Sequence, residues 1–261
     1  MKSKEIYKRM QVGIRAARSA GKILELYSSK IKNLKIKNNI PRDIFSKVDL
    51  MSEKEIYKTI IKKFGNDNFY GEETGEIKNK GDFKWVIDPL DGTVNYTHGI
   101  PVYSISIAIF FKTTCVSGII YNSRADEMFY ASLNSGAFLN GAKLNVSKEN
   151  KLKNSLIVAA LPSKIKNKTI IYKSFAKINE NSRGVLRIGS AAMAYSYLAS
   201  GKVEGIWGYN NKIWDVAAGI LLLKEAGGKT STLNNKKYNY KNFLISSNNF
   251  IHNELLEMIS W

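Results

Sequence analysis

The chain has 261 residues, 44% hydrophobic and 24% charged, with 4 Pro and 1 Cys, a composition that supports a substantial core and excludes collagen, low-complexity repeats and long disordered tails. Its 40 Lys and Arg against 22 Asp and Glu leave a net charge of +18, which suits either an anionic substrate or a nucleic-acid partner. The lysines are scattered from Lys2 to Lys241 and are densest at Lys164, Lys166 and Lys168, the distribution of a solvated surface rather than of a binding arm.

The apolar run at residues 103–111 carries Ser104 and Ser106 and stops at Lys112, well short of the roughly 20 residues that span a bilayer. Met1-Lys2-Ser3-Lys4-Glu5 leads into an amphipathic pattern without the apolar stretch and cleavage site of a secretory signal. A cytoplasmic protein with no membrane span is expected. Cys115 has no second Cys to pair with and sits between Thr114 and Val116 in an apolar pattern, so it reads as a buried thiol.

Residues 4–31 place Ile6, Met10, Ile14, Ala17, Gly21, Leu24 and Ile31 at spacings of mostly three or four, which predicts a long opening helix. After Asn38-Asn39-Ile40-Pro41 a second helix is predicted over 48–64, ended by Gly65-Asn66-Asp67. From Phe69 the period becomes two. Runs at 84–88, 103–111, 116–121 and 127–131 predict an antiparallel meander, followed by a hairpin turn at Asn140-Gly141, a pair that accepts positive φ. Beyond Lys148 the patterns alternate, with strands at 155–160, 185–188, 203–207 and 243–246 and helices at 169–178, 191–199 and 216–226. Two halves, 1–148 and 149–261, packed as one unit, are expected.

The run Trp85-Val86-Ile87-Asp88-Pro89-Leu90-Asp91-Gly92-Thr93-Val94-Asn95-Tyr96 ends an apolar strand in a carboxylate, turns through Pro89 and offers a second carboxylate before a helix start. Asp-Pro and Asp-Gly are ordinary turn dipeptides. The same geometry also lets the two carboxylates share a hard cation while the Gly92 and Thr93 amides receive a phosphate. Glu72 and Glu73, on a glycine-flanked loop, are either an exposed acidic turn or metal ligands. Asp215, in Trp214-Asp215-Val216-Ala217-Ala218-Gly219, can cap the helix that follows or join the other acids.

Gly228-Lys229-Thr230 has Leu223 where a nucleotide loop needs Gly and follows a helix instead of preceding one, so it reads as a helix C-terminus. Trp207, Tyr209 and Trp214 fit core packing better than base stacking. His98 and His252 read as surface residues or as residues behind the site.

These elements together resemble the lithium-sensitive, Mg²⁺-dependent phosphatases typified by inositol monophosphatase, across nearly the whole chain. The resemblance rests on Gly71-Glu72-Glu73, on Asp88-Pro89-Leu90-Asp91-Gly92-Thr93-Val94-Asn95, on Gly189-Ser190-Ala191-Ala192 and on Trp214-Asp215-Val216-Ala217-Ala218-Gly219, in that order. It implies an α/β fold, a layered α/β/α/β/α sandwich of the inositol monophosphatase and fructose-1,6-bisphosphatase type, in a homodimer.

By motif position, the resemblance makes Glu72, Asp88 and the Leu90 carbonyl ligands of a first Mg²⁺ and Asp88, Asp91 and Asp215 ligands of a second, with two or three ions per site. It gives Glu72 and Thr93 the orientation of the attacking water, Asp49 a place beside the Thr93 hydroxyl, and Glu73 the support of the metal cluster. Gly92 and Thr93, with Gly189, Ser190 and Ala191, would bind phosphate and substrate, and Lys37 would match a basic residue upstream.

The implied reaction is hydrolysis of a small phosphate monoester, inositol-1-monophosphate first. The alternatives are a 3′(2′),5′-bisphosphate nucleotide, fructose-1,6-bisphosphate or another sugar phosphate. Gly208 stands where inositol-specific relatives carry an acidic polyol contact. A non-enzymatic alternative keeps the scaffold and uses the charge to hold RNA or a transcription complex.

Overall fold

The structure is a computed structural model that describes residues 2–36, 44–161, 168–238, 240 and 243–259. Lys37 and the lysine cluster at 164–168 fall outside the residues whose side chains are described. Helix α1 (Lys2–Ile36) turns Met10, Ala17 and Leu24 inward, and α2 (Ile44–Phe64) turns Val48, Ile56 and Ile60 inward, the stripes that a period near 3.6 produces. Arg9 on α1 holds Asp67, just past α2, through Nε at 2.8 Å and Nη2 at 2.9 Å, a bidentate pair that fixes both helices to the sheet beneath.

Strands β1 (Asn68–Gly71), β2 (Gly75–Ile77) and β3 (Phe83–Asp91) precede the short helix α3 (Thr93–His98). Strands β4 (Ser104–Phe111), β5 (Thr114–Asn122), β6 (Glu127–Ser132), β7 (Ala137–Leu139) and β8 (Ala142–Lys143) follow. They form one sheet in the order β2-β1-β3-β4-β5-β6-β7-β8. The expected meander holds from β3 to β8, and Asn140 and Gly141 take φ of 47° and 91° in its last turn. β1, in contrast, runs parallel to β3. Strands of four and three residues are too short to announce themselves by alternation.

The second sheet combines β9 (Leu156–Ala160), β10 (Gly184–Leu186), β11 (Gly205–Tyr209), β12 (Lys229–Ser231) and β13 (Phe243–Ser247), in the order β10-β9-β11-β13-β12. The helices of this half are α4 (Lys168–Asn181), α5 (Ala191–Ala199), α6 (Ile213–Glu225) and α7 (His252–Glu257). Four apolar clusters define the layers. α1 and α2 cover one face of the first sheet, α5 and α6 fill the space between the sheets, and α4 and α7 cover the far face of the second. The order is α/β/α/β/α, as the resemblance implied. α6 lies so close to β5 that a Cβ on Gly118 would stand 2.6 Å from the Ala218 carbonyl oxygen, so only Gly permits this approach.

Several local readings are refined. β11 begins two residues later than expected and contains Gly208. α6 starts at Ile213 and so includes Asp215 in its first turn. It ends as read, with the Gly228 amide donating to the Leu223 carbonyl at 2.9 Å and Gly227 at φ 96°, while Lys229 and Thr230 open β12. Trp207 is fully buried, and Trp214 packs edge-on against Tyr70 at 5.2 Å. Burial pushes the Cys115 thiol up to about 12. His98 is exposed. His252 corrects its reading: it is 1% exposed and lies far from any surface role, between the Ser231 and Ser247 hydroxyls.

Candidate active site

The site starts from a proline inside a strand. Asp88 pairs with Ser106 of β4 and Asp91 with Ser104, so the register slips across Pro89 and Leu90. Pro89 has no N–H for the ladder, and the extra residue is accommodated as a bulge. The sequence reading ended the strand at Asp88; the bulge instead carries it on to Asp91. Asp88 Oδ1 accepts from the Leu90 amide at 2.9 Å, closing the kink.

Gly92 follows at φ 96°, a conformation that favours Gly, and starts α3. The Thr93 hydroxyl donates to the Leu90 carbonyl at 3.1 Å. Buried Asn95 donates to the carbonyls of Val102 and Ile188, both at 2.7 Å, and so ties α3 to the loop that leads into α5. That loop brings Gly189, Ser190 and Ala191 against Asp91. The Ser190 hydroxyl and the Ala192 amide donate to Asp91 Oδ2, and the Ala191 amide donates to Oδ1 at 3.3 Å.

Glu72 and Glu73 form the turn between β1 and β2, with the Glu72 amide donating to the Ile87 carbonyl at 3.1 Å. Asp215 sits in the first turn of α6, where its Oδ2 accepts from the Lys212 amide at 2.7 Å. It therefore does cap its helix, and it faces the other acids as well. Glu72, Asp88, Leu90, Asp91 and Asp215 line one cleft of about 600 Å³. Its far wall is the end of β9 together with Arg187, Asn210, Asn211 and Lys212. The cleft therefore opens between the two sheets.

Electrostatics mark this cluster off from an ordinary acidic turn. Burial, then the charges of Asp91, Glu72 and Asp215, hold the Asp88 carboxyl well above the usual carboxylate range. Burial and the Asp91 charge push Asp215 up to about 7. Burial also raises Asp91 against the donors that Ser190, Ala192 and Ala191 supply. Burial raises the Glu72 carboxyl, against a lowering influence of the neighbouring Asp88 side chain.

Asp49, on α2, is 8% exposed and is pushed up to about 7 by burial and then by Glu73, Glu72 and Glu53. Its Oδ1 has no partner among the described residues. Asp49 thus faces the acid cluster, while the Thr93 hydroxyl that the resemblance set beside it points to Leu90.

Buried like charges gain free energy from a cation among them, and an all-oxygen donor set is the preference of Mg²⁺. The residues present fit such an ion. Among the described residues no three His, Cys, Asp or Glu side chains are already drawn up as ligands around one point.

Two residues that the sequence reading passed over complete the site. The Ser52 hydroxyl donates to the Pro89 carbonyl at 3.0 Å, and Glu53 receives the amides of Glu73 and Thr74 at 3.0 and 2.9 Å. Both lie one helical turn beyond Asp49 on α2. Spacings of three and four put them on the face that Asp49 had already marked.

A five-layer fold with a carboxylate-lined cleft beside backbone amides is the framework of a phosphoric monoester hydrolase. The chain belongs to the inositol monophosphatase family, whose model matches residues 7–260. It is 32% identical over 253 residues to the inositol-1-monophosphatase of Mesorhizobium japonicum, covering 96% of this chain and 95% of that one. It is 33% identical to the Nus factor SuhB of Pseudomonas aeruginosa, over 85% of this chain and 84% of that one. The solved structure of inositol monophosphatase from Anabaena superposes with a TM-score of 0.87 at 29% identity, covering 97% and 96% of the two chains. No helix among the described residues is long and apolar enough to cross a membrane.

Proposed function

We propose that the protein hydrolyses a small phosphate monoester with Mg²⁺, inositol-1-monophosphate first among the substrates and a nucleoside or sugar bisphosphate second. The observation that carries this reading is the meeting of Glu72, Asp88, Asp91 and Asp215, from three separate parts of the chain, in one cleft beside the loop 189–192. Bound Mg²⁺ supplies the positive charge that offsets the doubly anionic phosphate and acidifies a water.

Glu72, Asp88, Asp91, Asp215 and the Leu90 carbonyl are the residues to hold the two or three ions, with Glu73 supporting them. Glu72 and Thr93 orient the attacking water, with Asp49 behind them. The amides of Gly92 and Thr93 and the segment Gly189-Ser190-Ala191 cradle the phosphate, which such N–H groups suit. No side-chain nucleophile is required, since positioning and charge neutralisation accomplish most of phosphoryl transfer.

The reading includes a cytoplasmic homodimer, inhibition by lithium, and two halves, 1–148 and 149–261, acting as one unit around the cleft. Phosphate release from a panel of inositol, nucleotide and sugar phosphates in Mg²⁺ tests it; release from none of them overturns it.

A second reading draws on the +18 charge and on the likeness to a Nus factor. In it the surface binds RNA or a transcription complex. Salt-sensitive RNA binding that survives Asp88→Asn supports this role, and no binding at physiological salt rejects it.

A further inference from the structure

We propose that Glu53 is the positioning residue of the cation site, holding the Glu72-Glu73 turn against α2 so that Glu72 faces Asp88. The inference rests on the metal-dependent reading above and goes beyond it by naming a residue that none of the site motifs contains.

The geometry is specific. Glu53 is 2% exposed, and a buried carboxylate is costly unless donors surround it. Among the described residues its donors all come from one place: the Glu73 amide at 3.0 Å, the Thr74 amide at 2.9 Å and the Thr74 hydroxyl. This three-residue turn is otherwise anchored, among the described residues, by the strands at its ends and by the Glu72 amide, which donates to the Ile87 carbonyl at 3.1 Å. The Glu53 carboxylate gives its amides a fixed acceptor, and these amides belong to Glu73 and to the residue after it. The orientation of the neighbouring Glu72 side chain follows from this.

Gly71 is the second, independent observation. It lies in β1, outside the positive-φ glycines, so its backbone would accept a side chain. A Cβ there would nevertheless stand 2.5 Å from both Glu53 carboxylate oxygens. The strand has given up a side chain at the one position where the Glu53 carboxylate passes. This close approach is what brings the following Glu72 onto the cleft.

α2 braces the opposite wall in the same way, since Ser52 donates to the Pro89 carbonyl inside the bulge that carries Asp88 and Asp91. Neighbouring residues of one helix therefore set the spacing of the two acidic segments, and Asp49, one turn earlier, faces the same cluster.

The test is a set of variants read by calorimetric Mg²⁺ titration and by the rise in melting temperature on adding Mg²⁺ to protein treated with a chelator. Glu53→Ala should remain folded and bind Mg²⁺ about 10–100-fold more weakly, the usual cost of losing a residue that orients a ligand. Glu53→Gln keeps one acceptor and should fall between Ala and wild type. At saturating Mg²⁺ the substrate KM should be unchanged, because Glu53 touches no substrate.

Gly71→Ala should reproduce the loss by displacing the carboxylate, and Gly71→Ala combined with Glu53→Ala should bind no more weakly than Glu53→Ala alone. A residue that only stabilised the fold would lower the metal-free melting temperature and leave Mg²⁺ affinity alone, and its effect would add to that of Gly71→Ala. Equal Mg²⁺ affinity in folded Glu53→Ala and wild type overturns the proposal. Absence of Mg²⁺ binding by the wild type overturns instead the functional reading on which it stands.

Discussion

The side-chain amide nitrogen of Asn211 lies 2.8 Å from the point that a Cβ on Gly208 would occupy. Asn211 lines the cleft from the turn that joins β11 to α6, and no hydrogen bond to its side chain is found among the described residues. A neutral amide thus stands where the resemblance leads one to expect an acidic contact. Gly208 has no positive φ, and the obstacle to a side chain is the end of one flexible residue. Gly208→Glu should therefore fold with a small loss of melting temperature, and Asn211→Ala should recover that loss.

In the double variant the specificity constant for inositol monophosphate should rise by about ten- to a hundred-fold over that for nucleotide substrates, the worth of one charged hydrogen bond of about 1.5–3 kcal/mol. An unaltered activity ratio in a stable double variant would show that this wall does not meet the substrate.

Asp91→Asn should lower turnover by orders of magnitude while leaving the fold intact. The Asn oxygen can still accept from the Ser190 hydroxyl or the Ala192 amide, which hold Asp91 now. Removing one of several mutually repelling buried charges relieves strain in the metal-free protein. The check is a melting temperature at or above wild type in chelator, with phosphate release measured at saturating Mg²⁺. Unchanged turnover would remove Asp91 from the site.

Mg²⁺ should stabilise the protein more at pH 8 than at pH 6. Asp49 and Asp215 are both pushed up to about 7, chiefly by burial. Carboxyls raised in the fold bind protons that the unfolded chain has released, so the metal-free protein loses stability as pH rises from about 4 through 7. A cation reverses this by replacing the protons. Melting curves with Mg²⁺ and with chelator across this range measure the effect, and a Mg²⁺ increment independent of pH would contradict it.

His252 should act in the opposite sense. Burial, with the Lys229 charge second, lowers its imidazole to about 4, from 6.5 in the free side chain. Between these values the unfolded chain takes up a proton that the fold refuses, so this contribution disappears as pH falls from about 6.5 toward 4, by about 3 kcal/mol in all. Because the acid cluster slopes the other way, the measure is the difference in urea stability between wild type and His252→Gln. A difference that stays constant from pH 7 to pH 4 would show that His252 keeps its ordinary affinity for protons.

Local pattern alone determined much of this protein. The helical stripes of α1 and α2, the alternation from β3 to β6 and the Asn140-Gly141 turn are properties of neighbouring residues, and neighbours in sequence are neighbours in space. The acids stand out locally too, Asp88 and Asp91 within four residues and Glu72-Glu73 within two, but pattern alone left them as ordinary turns or ligands, and it was the resemblance of four motifs in order that made them a candidate site.

The tertiary structure decided what depends on distant partners. Whether Asp215 merely caps α6 or also faces Asp88 turns on how α6 lies between the two sheets, and residues more than a hundred positions apart meet there. Pro89 reads as a turn in sequence, and only pairing with β4 makes it a bulge within a continuing strand. β1 joins β3 in parallel through contacts that four residues of alternation cannot encode. His252 is closed in by Ser231 and Ser247 from different strands, and Glu53 becomes visible only when Gly71 passes beside it. In each case the deciding interaction is a burial or a hydrogen bond supplied from elsewhere in the chain, and the free energy of such a contact is set by the packing of layers rather than by local sequence.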